Sequence, residues 1–577
     1  MFGTEKPWVK VYGNKADPET TIFDGSLYEF FRDSVEKHAD KVALTFYGTE
    51  FPFPRLEALA EKMAASLVAS GVGKGDRVAL MLPNCPQYVI SFFGVVRLGA
   101  IVTQLNPMYV EREIEHIVKD SGAETIVVYS GMYDRVKSVL PGTNIKNVIV
   151  VDFEGEPTGL EPGHRSFGDF VGMNVDPAPE VSIDPGVDVA AFQYTGGTTG
   201  VSKGAMLTHR NLTANVQQAL DLFIDDPGAF SKNQAVMGIL PMFHIFGLTC
   251  VMLFGIRQGL KQVLLPKFDP TEVMNTVKEY QPVMFSGVPT MYMALNASGE
   301  NLLQYGFGNV RTYNSGGAAL PVNLKRSFEE KVARPLYEGY GLSEASPVTH
   351  FNPPFVGVGR EGSIGVPLPS TDARIVDVEG GTREMPIGES GELLIKGPQV
   401  MKGYWNMPEE TASTLKDGWL HTGDVATMDE EGYFYIVDRK KDMIVASGYN
   451  VYPREIEEVL FEHPEVSEAV AIGIPDEYRG ETVKAFVVKK PGGSVTEEEI
   501  LAFCKERLAP YKTPKFVEFR DELPKSTVGK LLRRVLADEE RRKTVAGAAP
   551  TGGAATEATI KVDPRTGVDA PPPPSPS

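Results

Sequence analysis

The chain has 577 residues, 42% hydrophobic and 23% charged, and a formal net charge of −19. That composition fits a globular protein of two or three domains and excludes a wholly disordered chain. The acid excess excludes a global basic footprint for nucleic acid and restricts peripheral membrane contact to whatever a local basic patch supplies. Cys85, Cys250 and Cys504 are far apart and odd in number, so neither a disulfide framework nor a structural zinc site is expected, and a reducing cytoplasm is. The first residues, MFGTEKPWVKVYGNKADPE, lack the apolar region of a signal peptide.

In chain order, residues 78–83 (VALMLP) predict a buried strand, and Pro86 opens a helix running to about Gly99. Residues 100–105, 125–129 (TIVVY) and 147–152 (NVIVVD) predict further buried strands. Strands alternating with helices imply parallel sheets covered on both faces. Residues 235–256 carry no formal charge and are long enough to cross a bilayer. Pro241 lies inside them, so a strand, a loop (MFHIFG) and a buried helix are expected instead. Past about residue 360, short strands at 373–378, 391–396 and 433–437 suggest a smaller β-rich unit. From Pro453 onward a compact α/β pattern returns: helix 454–462, strands 468–474 and 483–489, helix 496–508, strand 517–519. The DRKKD run at 438–442, read as exposed charges, suits a hinge. Residues 546–577 lack aromatics and are rich in Ala, Gly, Pro and Thr, a composition expected to remain disordered.

Chemistry concentrates at residues 194–204, YTGGTTGVSKG. Gly196, Gly197 and Gly200 permit close backbone approach to a ligand. Thr195, Thr198, Thr199 and Ser202 offer hydroxyls, and Lys203 offers a cation: a phosphate cradle. It is not a Walker A loop, because Ser202 precedes the lysine where that motif needs glycine. The GVGREG at 357–362 matches a dinucleotide fingerprint only in letters, since it follows NPPF and opens no helix. No GxSxG nucleophile elbow occurs.

YTGGTTGVSKG resembles the phosphate loop of the adenylate-forming superfamily. PMFHIFG (241–247), NSGGAAL (314–320), YEGYGLSEAS (337–346), GWLHTGD (418–424) with DRKKDMIVASGYNVYP (438–453), and PKSTVGKLLRR (524–534) follow in the order of that superfamily. The similarity covers roughly 25–540 and is nearest to fatty acyl-CoA synthetases of medium or long chain. It implies an α/β fold: a large N-terminal domain of stacked mixed sheets with helices and a β-rich subdomain (25–438), a hinge at 439–442, and a small mobile α+β C-terminal domain (443–540).

The resemblance further implies an ATP-dependent activation of a carboxylic acid to acyl-AMP, with pyrophosphate release and transfer to coenzyme A. ATP, Mg²⁺ and coenzyme A are the implied cofactors and co-substrates. It places residues 195–203 around the outer phosphates and Glu344 on Mg²⁺. Gly316, Gly317, Ala318, Glu338, Gly339, Tyr340, Gly341, Leu342 and Ser343 wall the adenine and α-phosphate, with Tyr340 suited to stack on the purine. Asp424 accepts the ribose hydroxyls and Arg439 reaches the ribose or phosphate. Lys530 bridges the acid carboxylate and the α-phosphate. Lys441 is the pivot of a swing that removes Lys530 and brings Gly448 to the pantetheine path. His244 lies beside the acyl carboxylate, where amino-acid-activating relatives carry aspartate. Phe246, Val288, Met291 and Tyr292 are candidate walls of an apolar acid pocket, with Gly317 at its edge. An aryl-CoA ligase of coumarate type, or another adenylate-forming enzyme, is the alternative. Chain length of the acid and oligomeric state are not legible.

Overall fold

Short apolar runs closed by proline or glycine form the parallel strands at the centre of the N-terminal region. The structure, a computed structural model, describes residues 6–195, 202–223, 234–446, 449–476, 480–526 and 531–547. Strands Ile101–Gln104, Arg77–Met81, Thr125–Tyr129 and Asn147–Val151 lie side by side, all parallel, in an eight-stranded sheet. Val189–Thr195 joins Ile101–Gln104 in parallel and turns back through Lys203–Thr208, which in turn pairs with Gly403–Tyr404.

A nine-stranded sheet is built the same way. Ala235–Gly238, Met284–Gly287, Thr312–Ser315 and Leu336–Gly341 are consecutive parallel neighbours. Helix Pro86–Arg97 packs against Val42–Phe46 of this sheet and Arg77–Met81 of the other. Proline occupies its first turn, where no amide hydrogen is needed, and every residue except Gln87 is buried. A helix apolar all round belongs between layers rather than on a surface.

The uncharged stretch 235–256 is core. Strand Ala235–Gly238 is followed by a loop and a helix that starts at Ile245–Gly247, widens into a π turn at Leu248–Leu253 and closes at Phe254–Gln258. Among the described residues no helix is long and apolar enough to cross a membrane.

Beyond residue 360, Asp372–Val376, Gly391–Lys396, Trp419–Met428 and Phe434–Arg439 make an antiparallel sheet. The C-terminal region has its own mostly antiparallel sheet, with Val466–Asp476 paired along its length to Gly480–Lys489. Helices Pro453–Glu462, Glu497–Arg507 and Arg533–Gly547 accompany it, over a separate core that includes Ile456, Leu460, Ala485 and Ile500. Thr496 and Glu499 form a capping box that starts the middle helix where the sequence expects it. The GVGREG segment opens no helix and follows only a short 3₁₀ turn, Pro354–Val356.

Two expectations need correction. The DRKKD run is not a string of exposed charges: Asp438 is 3% exposed and sits in strand Phe434–Arg439. Its carboxylate takes a hydrogen bond from the Arg454 amide (2.8 Å) and pairs with Arg533 (3.1 Å), which makes burial tolerable. The last helix runs to Gly547, so the segment expected to be disordered begins inside a helix; residues 548–577 lie outside the described residues.

Candidate active site

Many of the predicted site residues among the described ones gather at the carboxyl ends of neighbouring parallel strands, the edge where open α/β sheets place ligands. His244 and Phe246 follow Ala235–Gly238, Val288 and Met291 follow Met284–Gly287, and Gly316, Gly317 and Ala318 follow Thr312–Ser315. Glu338, Gly339, Tyr340 and Gly341 end Leu336–Gly341, with Leu342, Ser343 and Glu344 in the turn beyond. Residues separated by a hundred positions in sequence thus share one sheet edge.

The glycines here make room for neighbours. A β-carbon on Gly316 would lie 3.3 Å from the Phe246 ring, and one on Gly317 would lie 3.6 Å from Val288. Gly317 also holds φ +78°, a left-handed conformation that favours glycine. The residues expected to wall the nucleotide and those expected to wall the acid are therefore in contact. Tyr292, a candidate pocket wall, is instead fully buried in the core behind them, donating to the Asn314 carbonyl at 2.6 Å. Val288 and Met291 are also largely buried, at 2% and 8% exposure, with Val288 reaching Gly317.

His244 caps the short turn Ile245–Gly247, its Nδ1 accepting from the Phe246 amide at 3.3 Å. Glu338 is buried and accepts from the Leu320 amide at 3.2 Å. Burial pushes its carboxyl up to about 7, opposed by Arg454 and the Leu320 amide.

Asp424 and Arg439 come from the antiparallel sheet as direct cross-strand partners, and the Arg439 Nε lies 3.3 Å from the Asp424 carboxylate. The Tyr340 hydroxyl donates to the other oxygen of Asp424. Burial, then the Asp424 charge, raises the Tyr340 phenol, so it acts as a neutral donor. This joins the end of the nine-stranded sheet to the antiparallel sheet across the site.

Thr195 and Lys203 face each other as the last and first residues of an antiparallel pair. The residues between them that carry the expected cradle, Gly196, Gly197, Thr198, Thr199 and Gly200, lie outside the described residues, as do Gly448 and Lys530. Lys203 is ion-paired with Glu410 and sits 5.3 Å from the centre of the Tyr404 ring. The Tyr404 hydroxyl donates to Glu344 at 2.7 Å. Lys203, Tyr404 and Glu344 thus form a connected row. Tyr404 and Glu410 were not singled out from the sequence, because only the pairing of Gly403–Tyr404 with Lys203–Thr208 brings them here. The GYWNMPEE run that holds them carries no spacing tied to residues 195–203.

The described residues contain no group of three or more His, Cys, Asp or Glu side chains able to hold a metal alone. One carboxylate oriented by a tyrosine hydroxyl does fit Mg²⁺, which takes one or two protein carboxylates and completes its shell with phosphate oxygens and water. Lys441 follows the antiparallel sheet. Its side chain is exposed, and partial desolvation, then neighbouring Arg439, lowers its ammonium.

A sheet edge lined by glycines, with an aspartate held by a tyrosine and an arginine on one side and a Lys–Tyr–Glu row on the other, is the arrangement expected of a nucleotide-activating class of protein. The AMP-binding enzyme profile matches residues 31–405, and that of the AMP-binding enzyme C-terminal domain matches 455–530. The chain belongs to the AMP-binding enzyme family. It is 46% identical over 558 residues to a long-chain-fatty-acid–CoA ligase of Bacillus subtilis, covering 93% of this chain and 98% of that one. It is 41% identical to the enzyme of the same name from Escherichia coli O6:H1, with 93% and 99% covered. The structure superposes on ATP-bound MatB from Rhodopseudomonas palustris with a TM-score of 0.81 at 32% identity, over 89% of this chain and 99% of that one.

Proposed function

We propose that the protein activates a fatty acid with ATP to an acyl-adenylate, releasing pyrophosphate, and transfers the acyl group to coenzyme A. The observation that carries the choice of acid is the contact of Phe246 and Val288 with the Gly316–Gly317 strip: the surface abutting the nucleotide edge is hydrocarbon, with His244 where a charged partner for an amino group would be needed.

A carboxylate is a poor acyl donor because its leaving group is oxide. Adenylation replaces that leaving group with AMP, and the thiol of coenzyme A then displaces AMP without a protein nucleophile. The first step brings an anion against a polyanion, so cationic and hydrogen-bonding groups must offset charge where it accumulates. Lys203 meets the outer phosphates when it exchanges Glu410 for them. Glu344, aimed by Tyr404, would hold Mg²⁺, which would supply charge neutralisation on the phosphates. Asp424, presented by Tyr340, accepts the ribose hydroxyls, and Arg439 lies beside them. Lys530 draws the carboxylate and α-phosphate into line. Rotation about Lys441 then exchanges Lys530 for the segment around Gly448, a residue with no side chain to obstruct pantetheine.

Pyrophosphate release and thioester mass, measured across acetate, decanoate, palmitate, benzoate, coumarate and the amino acids, test this. The expected winners are unsubstituted acids of medium or long chain. Preference for an amino acid or an aromatic acid over every fatty acid overturns the substrate assignment.

A further inference from the structure

Strand Ala235–Gly238 of the nine-stranded sheet leads into the loop that carries His244 and Phe246, and the other sheet holds that loop by its backbone. Asn84, in the turn before helix Pro86–Arg97, donates both amide hydrogens, to the carbonyls of Gly238 (2.8 Å) and Leu240 (2.9 Å). Its carbonyl accepts from the Met242 amide at 2.8 Å. Tyr88, in the first turn of the same helix, reaches the Met242 carbonyl at 2.7 Å. Gln193, in the strand that runs to Thr195, donates to the Phe243 carbonyl at 3.2 Å.

Tyr88 has one hydroxyl hydrogen, and its oxygen lies 2.8 Å from the Gln104 amide group as well as near Met242. It cannot donate to both. With the Gln104 amide nitrogen turned toward Tyr88, that nitrogen donates to the phenol oxygen, and the phenol donates onward to Met242. With the amide oxygen toward Tyr88 instead, the phenol would face two acceptors, the Gln104 Oε1 and the Met242 carbonyl, with one hydrogen between them. The row therefore has a direction, from Gln104 through Tyr88 to the loop.

These groups are deeply buried: Asn84 and Gln104 are 2% exposed, Tyr88 0% and Gln193 4%. Burying neutral amides costs free energy unless their hydrogen bonds are made, and apolar packing alone would hold two layers together. What the amides add is one backbone path for residues 238–243. That path leads directly to the acid pocket. A β-carbon on Gly247 would lie 2.2 Å from the Pro241 carbonyl, so the loop closes tightly on itself, and Phe246 at its end packs on Gly316.

We propose that Asn84 and Tyr88 are positioning residues for the acid substrate, fastening the His244–Phe246 loop from the opposite sheet and so setting which acids are accepted. This rests on the reading that His244 and Phe246 line the acid site. The test uses the full chain with Asn84→Ala and the near-isosteric Tyr88→Phe. Asn84→Ala should raise KM for palmitate about tenfold and alter the ratio of decanoate to palmitate use, while KM for ATP stays within about twofold. Thioester formation from supplied palmitoyl-adenylate and coenzyme A should stay within about twofold of wild type. Tyr88→Phe should shift the same quantities less. Hydrogen exchange at the amides of residues 242–247 should accelerate in both variants. A lower melting temperature with an unchanged acid KM and decanoate-to-palmitate ratio overturns the proposal, as does an equal shift of the acid and ATP constants. Wild-type inactivity with every fatty acid would instead remove the substrate reading, and the exchange rates would still decide whether Asn84 and Tyr88 hold the loop.

Discussion

The loop that carries His244 and the C-terminal domain are both fastened to the rest of the protein by polar groups, but of opposite kinds. The loop is held by neutral amides and a phenol, fully buried and directed at backbone carbonyls. The C-terminal domain is held largely by charge. Arg533 pairs with Asp438 of the antiparallel sheet (3.1 Å) and with Glu457 and Asp442 of its own region. Arg454 donates to the Ile436 carbonyl at 2.8 Å, and Asn323 donates to the Phe461 carbonyl at 3.3 Å. Neutral hydrogen bonds sealed from water are insensitive to salt and have no substitute partner if broken. Ion pairs, even with one member as buried as Asp438, can find water and counter-ions once the boundary opens, substitutes that the sealed amides lack. The first arrangement suits a part that must not move. The second suits one that must, and under the proposed rotation about Lys441 Arg533 would keep Glu457 and Asp442 while giving up Asp438.

The strongest test of that contrast is to separate the half-reactions. Lys530→Ala should reduce adenylate formation by about 10² or more while supplied acyl-adenylate is still converted to thioester. Gly448→Trp should do the reverse. If both variants depress both half-reactions equally, the domain does not alternate.

Glu338 stands where the buried site meets the charged boundary, its carboxyl facing Arg454, Glu458 and Lys325. Its value rises from 4.5 in the unfolded chain to about 7 in the fold. Between those values the folded protein holds a proton that the unfolded chain has released. Stability therefore falls as pH rises through this window, and the loss is complete above about 7. Glu338→Gln removes that loss while keeping an acceptor for the Leu320 amide. The variant should gain about 3 kcal/mol relative to wild type between pH 4 and pH 8, read from denaturant midpoints. Parallel pH profiles for the two proteins would show that Glu338 is ionised in the fold.

A smaller effect is expected at the Asp438–Arg533 pair. Asp438→Asn weakens one orientation of the C-terminal domain only, so single-turnover rates of the two half-reactions should change in ratio by about threefold. Raising the salt from about 0.05 to 0.5 M should shift the wild-type ratio in the same sense and the variant's ratio less. A salt-independent ratio in wild type contradicts an ionic hold. The least effect belongs to the end of the chain: removing residues 548–577 should leave melting temperature and thioester formation unchanged, since that composition supplies no core. A loss above about tenfold in a folded truncation would give the tail a function its composition does not suggest.

Much of the architecture is legible in the sequence because the physics is local. TIVVY at 125–129 and GELLIK at 391–396 become strands Thr125–Tyr129 and Gly391–Lys396, bounded as read, because apolar β-formers between breakers have one good local solution. Pro86 begins its helix and Thr496 caps another for equally local reasons. Motifs name the site residues, and the gathering of those from residue 244 to 344 at one sheet edge follows from the parallel order of strands Ala235–Gly238, Met284–Gly287, Thr312–Ser315 and Leu336–Gly341. Tertiary structure alone decided the rest. DRKKD reads as a solvated run until Arg533 and the Arg454 amide bury Asp438. Tyr292 is a candidate wall until packing sets it behind the pocket. Asn84, Tyr88, Gln104 and Gln193 carry no pattern at all, since an amide's role depends on which backbone group lies opposite it. Composition and periodicity set what each segment becomes; which distant segment satisfies its polar groups is set only when the two sheets close on each other.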